Sequence, residues 1–187
     1  MTIIKLIEKE VINRCKSNDN KYGEGAFSHH IKSVVENAVV LAKQCNADVE
    51  IVTLAALLHD VASVTNEKYY DDHHIVGSQI AEELLNNINY PKEKIEQIKK
   101  CILNHRGSFT KDKLSLEEIC IADADALAHF DNIPSLFSMV YKEKKMSIET
   151  GEKFVKDKLQ RSYNKLSKKS KENYKSKYES AMSIFKN

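Results

Sequence analysis

Proline, glycine and tryptophan are scarce in this sequence, which contains two prolines, five glycines and no tryptophan among 187 residues. Proline and glycine are the residues that most often interrupt helices and form tight turns. Since they are few, while lysine, glutamate, leucine, isoleucine and alanine are frequent, we expect helices that are joined by short loops.

Long apolar runs and cysteine pairs are also missing. The apolar runs are far shorter than the ~20 residues that a membrane-spanning helix requires. The amphipathic first segment, MTIIKLIEKEVINRC, contains acidic residues and differs from a secretion signal. No CxxC pair occurs among the four cysteines, which are Cys15, Cys45, Cys101 and Cys120. We therefore expect a cytoplasmic protein with reduced, mostly buried thiols and no membrane partner.

The formal net charge of +2 conceals a basic C-terminal region. Ten lysines and arginines but only two acidic residues lie between Lys153 and Lys177. Such a strip could contact nucleic acid or a phosphate-rich ligand, or it could be a solvated helix face. We favour the solvated face and expect no nucleic-acid partner, because no aromatic platform or nucleic-acid-binding motif accompanies the strip.

Apolar residues recur with a period near 3.6 along most of the chain. This pattern, with caps such as Asp48 and Ser115, predicts helices over about residues 2–14, 29–45, 49–60, 73–86, 91–104 and 116–130. A polar break, SVTNEKYYDD, is expected after the third helix. Pro134 begins a further helix, and one or two amphipathic, Lys-rich helices follow. The sequence contains no hairpin signal, repeat or long linker, so we predict one all-α helical bundle over residues 1–187, with the C-terminal helices in 132–187.

Histidine and aspartate side chains are concentrated at or near the ends of these predicted helices. They are His29, His30, His59, Asp60, His73, His74, His105, Asp123, Asp125 and His129. Neighbouring helix ends can converge in an antiparallel bundle, and imidazole with carboxylate suits divalent ions such as Mn, Fe, Ni, Zn, Co or Mg. A bound cation would also offset the cost of placing a carboxylate at the end of the most apolar helix. Taken alone, each histidine could equally be a cap or a surface residue.

The order of three segments resembles the HD-domain superfamily of metal-dependent phosphohydrolases. The segments are HHIKSVVENAVVLA, AALLHDVAS and IADADALAHF, and the resemblance covers about residues 27–131. It implies an HD-type helical bundle in which His30, His59, Asp60 and Asp125 bind a divalent metal. The spacing of the motif favours His30 over its neighbour His29, and the Leu that follows favours Asp125 over Asp123.

Two further segments, HHIVGSQIAEELL and CILNHRGSF, resemble the additional histidine segments of some members. The resemblance implies that His73 and His105 bind a second metal, with Asp60 bridging the two. One metal or two are both compatible with this sequence. The chain departs from the family pattern at Ser33, where many members have arginine, and this departure leaves the subgroup and the substrate open.

The resemblance also implies a reaction. The metal would activate a water for in-line attack at phosphorus, and Asp60 would be both a ligand and the catalytic group that orients this water. Arg106 and Lys32 are candidates for binding phosphate, although either could simply be a solvated surface residue.

Small members of the superfamily act on nucleotides, so we expect a small phosphorylated substrate and favour a nucleotide pyrophosphohydrolase or nucleotidase. Tyr69, Tyr70 and Phe109 could stack on a base or pack within their loops. The alternatives are a catalytically silent, nucleotide-sensing module and a dinuclear phosphodiesterase or dinucleoside polyphosphate hydrolase. The sequence leaves the oligomeric state open.

Overall fold

The structure, a computed structural model, describes residues 1–106 and 115–185. Every regular element within these ranges is helical, and they contain no strand. The prediction of an all-α protein is confirmed. In the described part of the chain no helix is both long enough and apolar enough to cross a membrane.

The contacts divide the chain into two compact units, Met1–Asp125 and Ala126–Asn187. The boundary falls within one helix, so it does not coincide with a linker. Whether the two units behave as the single domain that we expect stays a prediction.

The first unit is built around a helix that is buried on all sides. Its helices are α1 (Ile3–Cys15), α2 (Lys32–Cys45), α3 (Val49–Leu58), α4 (Val61–Thr65), α5 (His73–Asn86), α6 (Lys92–Asn104) and the first part of α7 (Leu116–Asp131). Helix α3 packs against α1, α2 and α6, and its residues from Ile51 to Leu58 are all buried. The predicted cap is present, since an Asp48 side-chain oxygen accepts hydrogen bonds from the backbone N–H groups of Glu50 and Ile51.

The chain differs from the predicted pattern after α3. Helix α3 ends at Leu58, His59 and Asp60 form a turn, and α4 then begins at Val61. The residues Val61, Ala62, Ser63 and Val64 are buried, so the apolar run continues through the His-Asp pair. The expected polar break was therefore wrong for its first residues, and the polar segment begins only at Asn66, which leads into a 3₁₀ turn (Glu67–Tyr69).

A second difference precedes α2. A π-helical segment, Phe27–Ile31, leads directly into α2 and contains both His29 and His30. A π-helical turn holds more residues than an α-helical turn, and such turns are frequent at functional sites. Period 3.6 cannot reveal a local turn of this kind.

The second unit contains the end of α7 and three further helices. They are α8 (Ile133–Ser138), α9 (Ile148–Lys165) and α10 (Lys168–Met182), and a π-helical segment, Met139–Glu143, follows α8. Its buried core consists of Phe130, Val140, Val155, Leu159 and Phe185. Serines cap both Lys-rich helices, Ser147 for α9 and Ser167 for α10.

Candidate metal centre

The helix ends of the first unit bring most of the predicted ligands together. Each ligand follows or precedes a helix: His30 lies in the π-helical segment before α2, His59 and Asp60 in the turn between α3 and α4, His73 at the start of α5 and His105 directly after α6. Asp125 lies within α7. Five separate stretches of chain therefore supply these six residues.

One cluster forms around His30. Its Nε2 atom lies 3.3 Å from Nε2 of His59, 3.2 Å from Oδ1 of Asp125 and 3.8 Å from Oδ2 of Asp60. The same Oδ2 atom lies 3.4 Å from Nε2 of His59. Three of the four residues that we predict for the first metal thus surround His30.

A second cluster forms on the other oxygen of Asp60. Oδ1 of Asp60 lies 3.5 Å from Nε2 of His73, and this Nε2 lies 3.1 Å from Nε2 of His105. The two oxygens of one carboxylate therefore face two separate groups of imidazoles. If two ions were bound, Asp60 would be placed to contribute one oxygen to each.

Backbone carbonyls determine which ring nitrogen of these histidines carries the proton. Nδ1 of His59 lies 2.7 Å from the carbonyl oxygen of Ala56, and Nδ1 of His73 and of His105 lie 2.6 Å from those of Tyr70 and Ile102. A carbonyl oxygen only accepts, so each Nδ1 donates its proton to the residue three positions earlier. In the neutral imidazole the lone pair then lies on Nε2, which is the atom that faces the cluster.

The contact between His73 and His105 is consequently a contact between two lone pairs. Such a contact is repulsive unless a proton or a cation lies between the two nitrogens. Divalent ions bind imidazole nitrogen and carboxylate oxygen at about 2.0–2.2 Å, which places neighbouring ligand atoms roughly 3.0–3.5 Å apart. The ligand atoms of His30, His59 and Asp60, and those of Asp60, His73 and His105, also all lie within 4.8 Å of one another. Both donor sets fit a divalent metal.

The charges in the site are strongly coupled. Burial alone would raise the pKa of Asp60, but the adjacent His59, followed by His30 and His73, lowers it well below its usual range. Burial would lower the pKa of His59, but the Asp60 carboxylate outweighs this effect and raises it to about 9. Burial and the charge of His59 lower the pKa of His105 to about 4. Near neutral pH the ion-free site therefore retains a proton on His59, whereas His105 is neutral.

A capping box at the start of α7 is linked by a hydrogen bond to the end of α6. Glu118 accepts a hydrogen bond from the backbone N–H of Ser115 at 2.8 Å, and the Ser115 hydroxyl accepts one from the N–H of Glu118 at 3.2 Å. The other Glu118 oxygen accepts a hydrogen bond from the side chain of Asn104. Asn104 directly precedes His105, and Glu118 lies two turns before Asp125. This buried carboxylate therefore connects the helix end beside His105 with the helix that carries Asp125.

Tyr22 lies beside the site, and the sequence analysis did not predict it. Its ring meets the Tyr70 ring edge-on, with centroids 6.1 Å apart, and the Tyr70 ring stacks on His73 at 6.0 Å. Burial and then the charge of Asp60 raise the pKa of Tyr22 well above its ordinary value. Tyr22 belongs to an irregular loop, where no periodicity indicates which side chain points inward.

The two predicted phosphate-binding residues occupy different surroundings. Nη1 of Arg106 donates a hydrogen bond of 2.9 Å to the carbonyl oxygen of Asp71, close to the start of α5. Lys32 is 64% exposed and its Nζ lies 3.9 Å from Oε1 of Glu36.

Phe109, one of the aromatic residues considered for base stacking, lies outside the described residues.

Three further sequence candidates are His29, Asp123 and His129. Among the described residues, neither His29 nor Asp123 belongs to a group of three or more clustered ligands. His29 is exposed and Asp123 is buried within α7. In the second unit, Nδ1 of His129 lies 3.1 Å from the hydroxyl of Ser162.

Comparison with known proteins identifies curated relatives that match over part of their length, two of which are described here. The chain is 30% identical over 107 residues to ribonuclease Y of Petrotoga mobilis, covering 57% of this chain and 19% of that protein. It is 43% identical over 61 residues to tRNA (cytidine(56)-2'-O)-methyltransferase of Thermoplasma volcanium, covering 32% of this chain and 18% of that protein. The chain thus spans less than a fifth of either relative.

Two solved structures are similar over most of their length. A predicted HD superfamily hydrolase from an uncultured Thermotogales bacterium aligns with a TM-score of 0.57 and 26% identity, over 84% of this chain and 91% of that one. YpgQ of Bacillus subtilis aligns with a TM-score of 0.66 over 98% and 94% of the two chains, and at 18% identity this likeness shows the fold alone.

The family profile that matches is the HD domain, over residues 27–129. This range contains both histidine clusters and Asp125, and it covers more than half of the chain. On this match the chain belongs to the HD domain family.

Proposed function

We propose that the protein is a metal-dependent phosphohydrolase that acts on a small phosphorylated substrate, and that this substrate is a nucleotide. One observation carries the proposal: imidazole Nε2 atoms face one another on both sides of the Asp60 carboxylate. In His59, His73 and His105 the opposite nitrogen faces a backbone carbonyl. A buried group of acceptors of this kind needs a cation. The solved HD superfamily relative that is 26% identical is described as a hydrolase, which supports the choice of reaction class.

His30, His59, Asp60 and Asp125 would hold one divalent ion, and Asp60, His73 and His105 would hold a second. A divalent ion bound by such ligands lowers the pKa of a water and polarises a phosphoryl oxygen. Asp60 stays ionised in this environment, since the neighbouring histidines lower its pKa. It can therefore accept a hydrogen bond from the attacking water and orient it towards phosphorus.

Arg106 would bind the phosphate. Its guanidinium group directly follows the ligand His105 and is held at the start of α5 by the Asp71 carbonyl. A planar guanidinium can donate two parallel hydrogen bonds to a phosphoryl group and neutralise charge that develops on its oxygens. Tyr70, whose ring stacks on His73, would form the adjacent wall and is exposed enough to contact a base.

The second cluster supports a further candidate, a dinuclear phosphodiesterase. A carboxylate between two groups of imidazoles suits a two-metal site, in which attacking and leaving oxygens are both stabilised. One relative of this chain is a ribonuclease by name, which makes RNA a phosphodiester worth testing. Retention of the whole ligand set argues against the silent sensing module.

The test combines metal analysis with a substrate panel. Purified protein is analysed for bound metals and then assayed with Mn, Mg, Fe, Ni, Co or Zn on nucleoside triphosphates, monophosphates, dinucleoside polyphosphates and short RNA. We expect wild-type protein to release phosphate or pyrophosphate from a nucleotide. His59→Ala and Asp125→Ala should bind less metal and should release neither product. His29→Ala is the matched control, because His29 is exposed and adjacent to His30.

Three results would contradict the proposed nucleotide hydrolysis or favour another function. Hydrolysis that persists unchanged in His59→Ala would contradict the proposed mechanism. Thermal stabilisation by a nucleotide without any product would favour the sensing module, and cleavage of RNA alone would favour the phosphodiesterase.

A further inference from the structure

Two cysteines that are far apart in sequence touch in the first unit. The Sγ atoms of Cys45 and Cys120 lie 3.5 Å apart, although the residues are 75 positions apart in the chain. Cys45 is the last residue of α2 and Cys120 lies in the second turn of α7. All four cysteines are free thiols, and the proposed metal chemistry uses none of them. The spacing of the cysteines in the sequence does not indicate this pair.

The two thiols differ in their access to solvent. Cys45 is half-buried, whereas Cys120 is 3% exposed. Burial, followed by the contact with Cys45 and the charge of Asp123, raises the pKa of Cys120 well above its ordinary value. An attack on a small reagent from solvent must therefore begin at Cys45, with Cys120 as the second, shielded partner.

We propose that Cys45 and Cys120 form a thiol modification site that a small disulfide, with oxidised glutathione as the example, converts into an intramolecular disulfide. The Cys45 thiolate attacks one sulfur of the reagent, forms a mixed disulfide and releases one glutathione as a thiol. Cys120 then loses its proton to solvent and attacks Sγ of Cys45, which releases the second glutathione. Two protein thiols are oxidised, and the reagent's disulfide is reduced to two thiols.

The geometry allows this step with a small movement. A disulfide has its sulfurs about 2.05 Å apart, so the two Sγ atoms must approach by about 1.5 Å. Cys45 lies at the C-terminal end of α2, and the next residue, Asn46, has already left the helix with a φ of 60°. A helix end accommodates such a shift more readily than a helix interior. His30 lies about four helical turns from Cys45, and Asp125 lies five residues beyond Cys120 in α7. A disulfide should therefore join α2 to α7 at a distance from both residues.

The test incubates the native protein with oxidised glutathione and counts the free thiols after unfolding in denaturant, with an untreated sample as reference. We expect the number of free thiols to fall from four to two, and the intact mass to fall by two hydrogen atoms. Non-reducing peptide mapping should then link the Cys45 peptide to the Cys120 peptide. Cys101→Ser is the matched control, because Cys101 is equally buried and lies outside the contact pair; it should still form the link.

Two variants separate the steps. In Cys120→Ser the thiol that would displace glutathione is missing, so a stable glutathione adduct should remain on Cys45. Cys45→Ser should form no intramolecular link. The proposal is overturned if wild-type protein retains four free thiols, if it retains a glutathione adduct on Cys45, or if the link involves Cys15 or Cys101. These results are read from the wild-type protein, so they do not depend on how well the variants fold. They are also independent of whether the protein hydrolyses a nucleotide.

Discussion

The Nε2 atoms of His73 and His105 lie 3.1 Å apart, while each ring donates its other nitrogen's proton to a backbone carbonyl three residues earlier. His59 has the same arrangement with Ala56. Three helix ends thus orient the Nε2 atoms of three imidazoles towards one carboxylate. This relationship is the structural basis for the predictions that concern metal.

The number of bound ions should depend on which ligand is removed. Asp60 faces both clusters, so Asp60→Asn should abolish binding at both, whereas His105→Ala should remove only the second ion. Elemental analysis of protein loaded with Mn or Fe should give about two ions per chain for wild type, one for His105→Ala and none for Asp60→Asn. If Asp60→Asn kept the wild-type stoichiometry, the carboxylate could not be the bridging ligand.

Metal affinity should rise with pH. His59 has a pKa raised to about 9 in the ion-free protein, so near neutrality an incoming ion must displace its proton. Because folding raises the pKa of His59, its proton contributes fully to the stability of the folded ion-free protein at a pH below the ordinary histidine pKa of about 6.5. This contribution is lost as the pH rises through about 9. The apparent affinity should therefore increase about tenfold per pH unit between roughly 6.5 and 9.

Calorimetric titration with an ion in buffers of different ionisation enthalpy measures this effect. About one proton should be released for each ion that enters the first cluster at pH 7. His105 contributes no such proton, because burial and the charge of His59 lower its pKa to about 4. An affinity that is independent of pH over this range would contradict the coupling between His59 and Asp60.

The Glu118 carboxylate should contribute measurably to stability. In Glu118→Ala the Ser115 N–H and the Asn104 amide both lose their acceptor, and a lost cap or buried hydrogen bond costs about 1–3 kcal/mol. Urea unfolding monitored by circular dichroism measures the difference. Glu36→Ala is the control, since its ion pair with Lys32 is exposed and should change the free energy of unfolding by no more than about 0.5 kcal/mol.

Arg106 should act on substrate binding more than on metal binding. Arg106→Ala removes the guanidinium group that we expect to hold a phosphoryl group, so KM should rise at least about tenfold, as for the loss of a charged hydrogen bond. Lys32→Ala should raise KM less, because Lys32 is exposed and paired with Glu36. The metal content of both variants should match wild type, and an unchanged KM in Arg106→Ala would contradict the assignment.

Local patterns in the sequence predicted most of the helices and the residues of the candidate site. The apolar period and the residues at helix starts predicted α5 over 73–86 and the cap at Asp48, both of which the structure contains. These features depend on neighbours within one or two turns, which the sequence displays directly. The order of histidines and aspartates likewise indicated the HD domain, which the comparison of residues 27–129 bears out.

Tertiary structure decided the relationships that join distant residues. Three relationships depend on how α2, α5, α6 and α7 pack: which oxygen of Asp60 faces which histidine, the approach of His73 to His105, and the contact of Cys45 with Cys120. No local period encodes this packing. The buried helix α4 was missed for the same reason, since its serine and threonine resemble a polar loop until the surrounding helices cover them. The sequence by itself determined the helices and the chemical types of the ligands, and packing alone determined the distances at which those ligands meet.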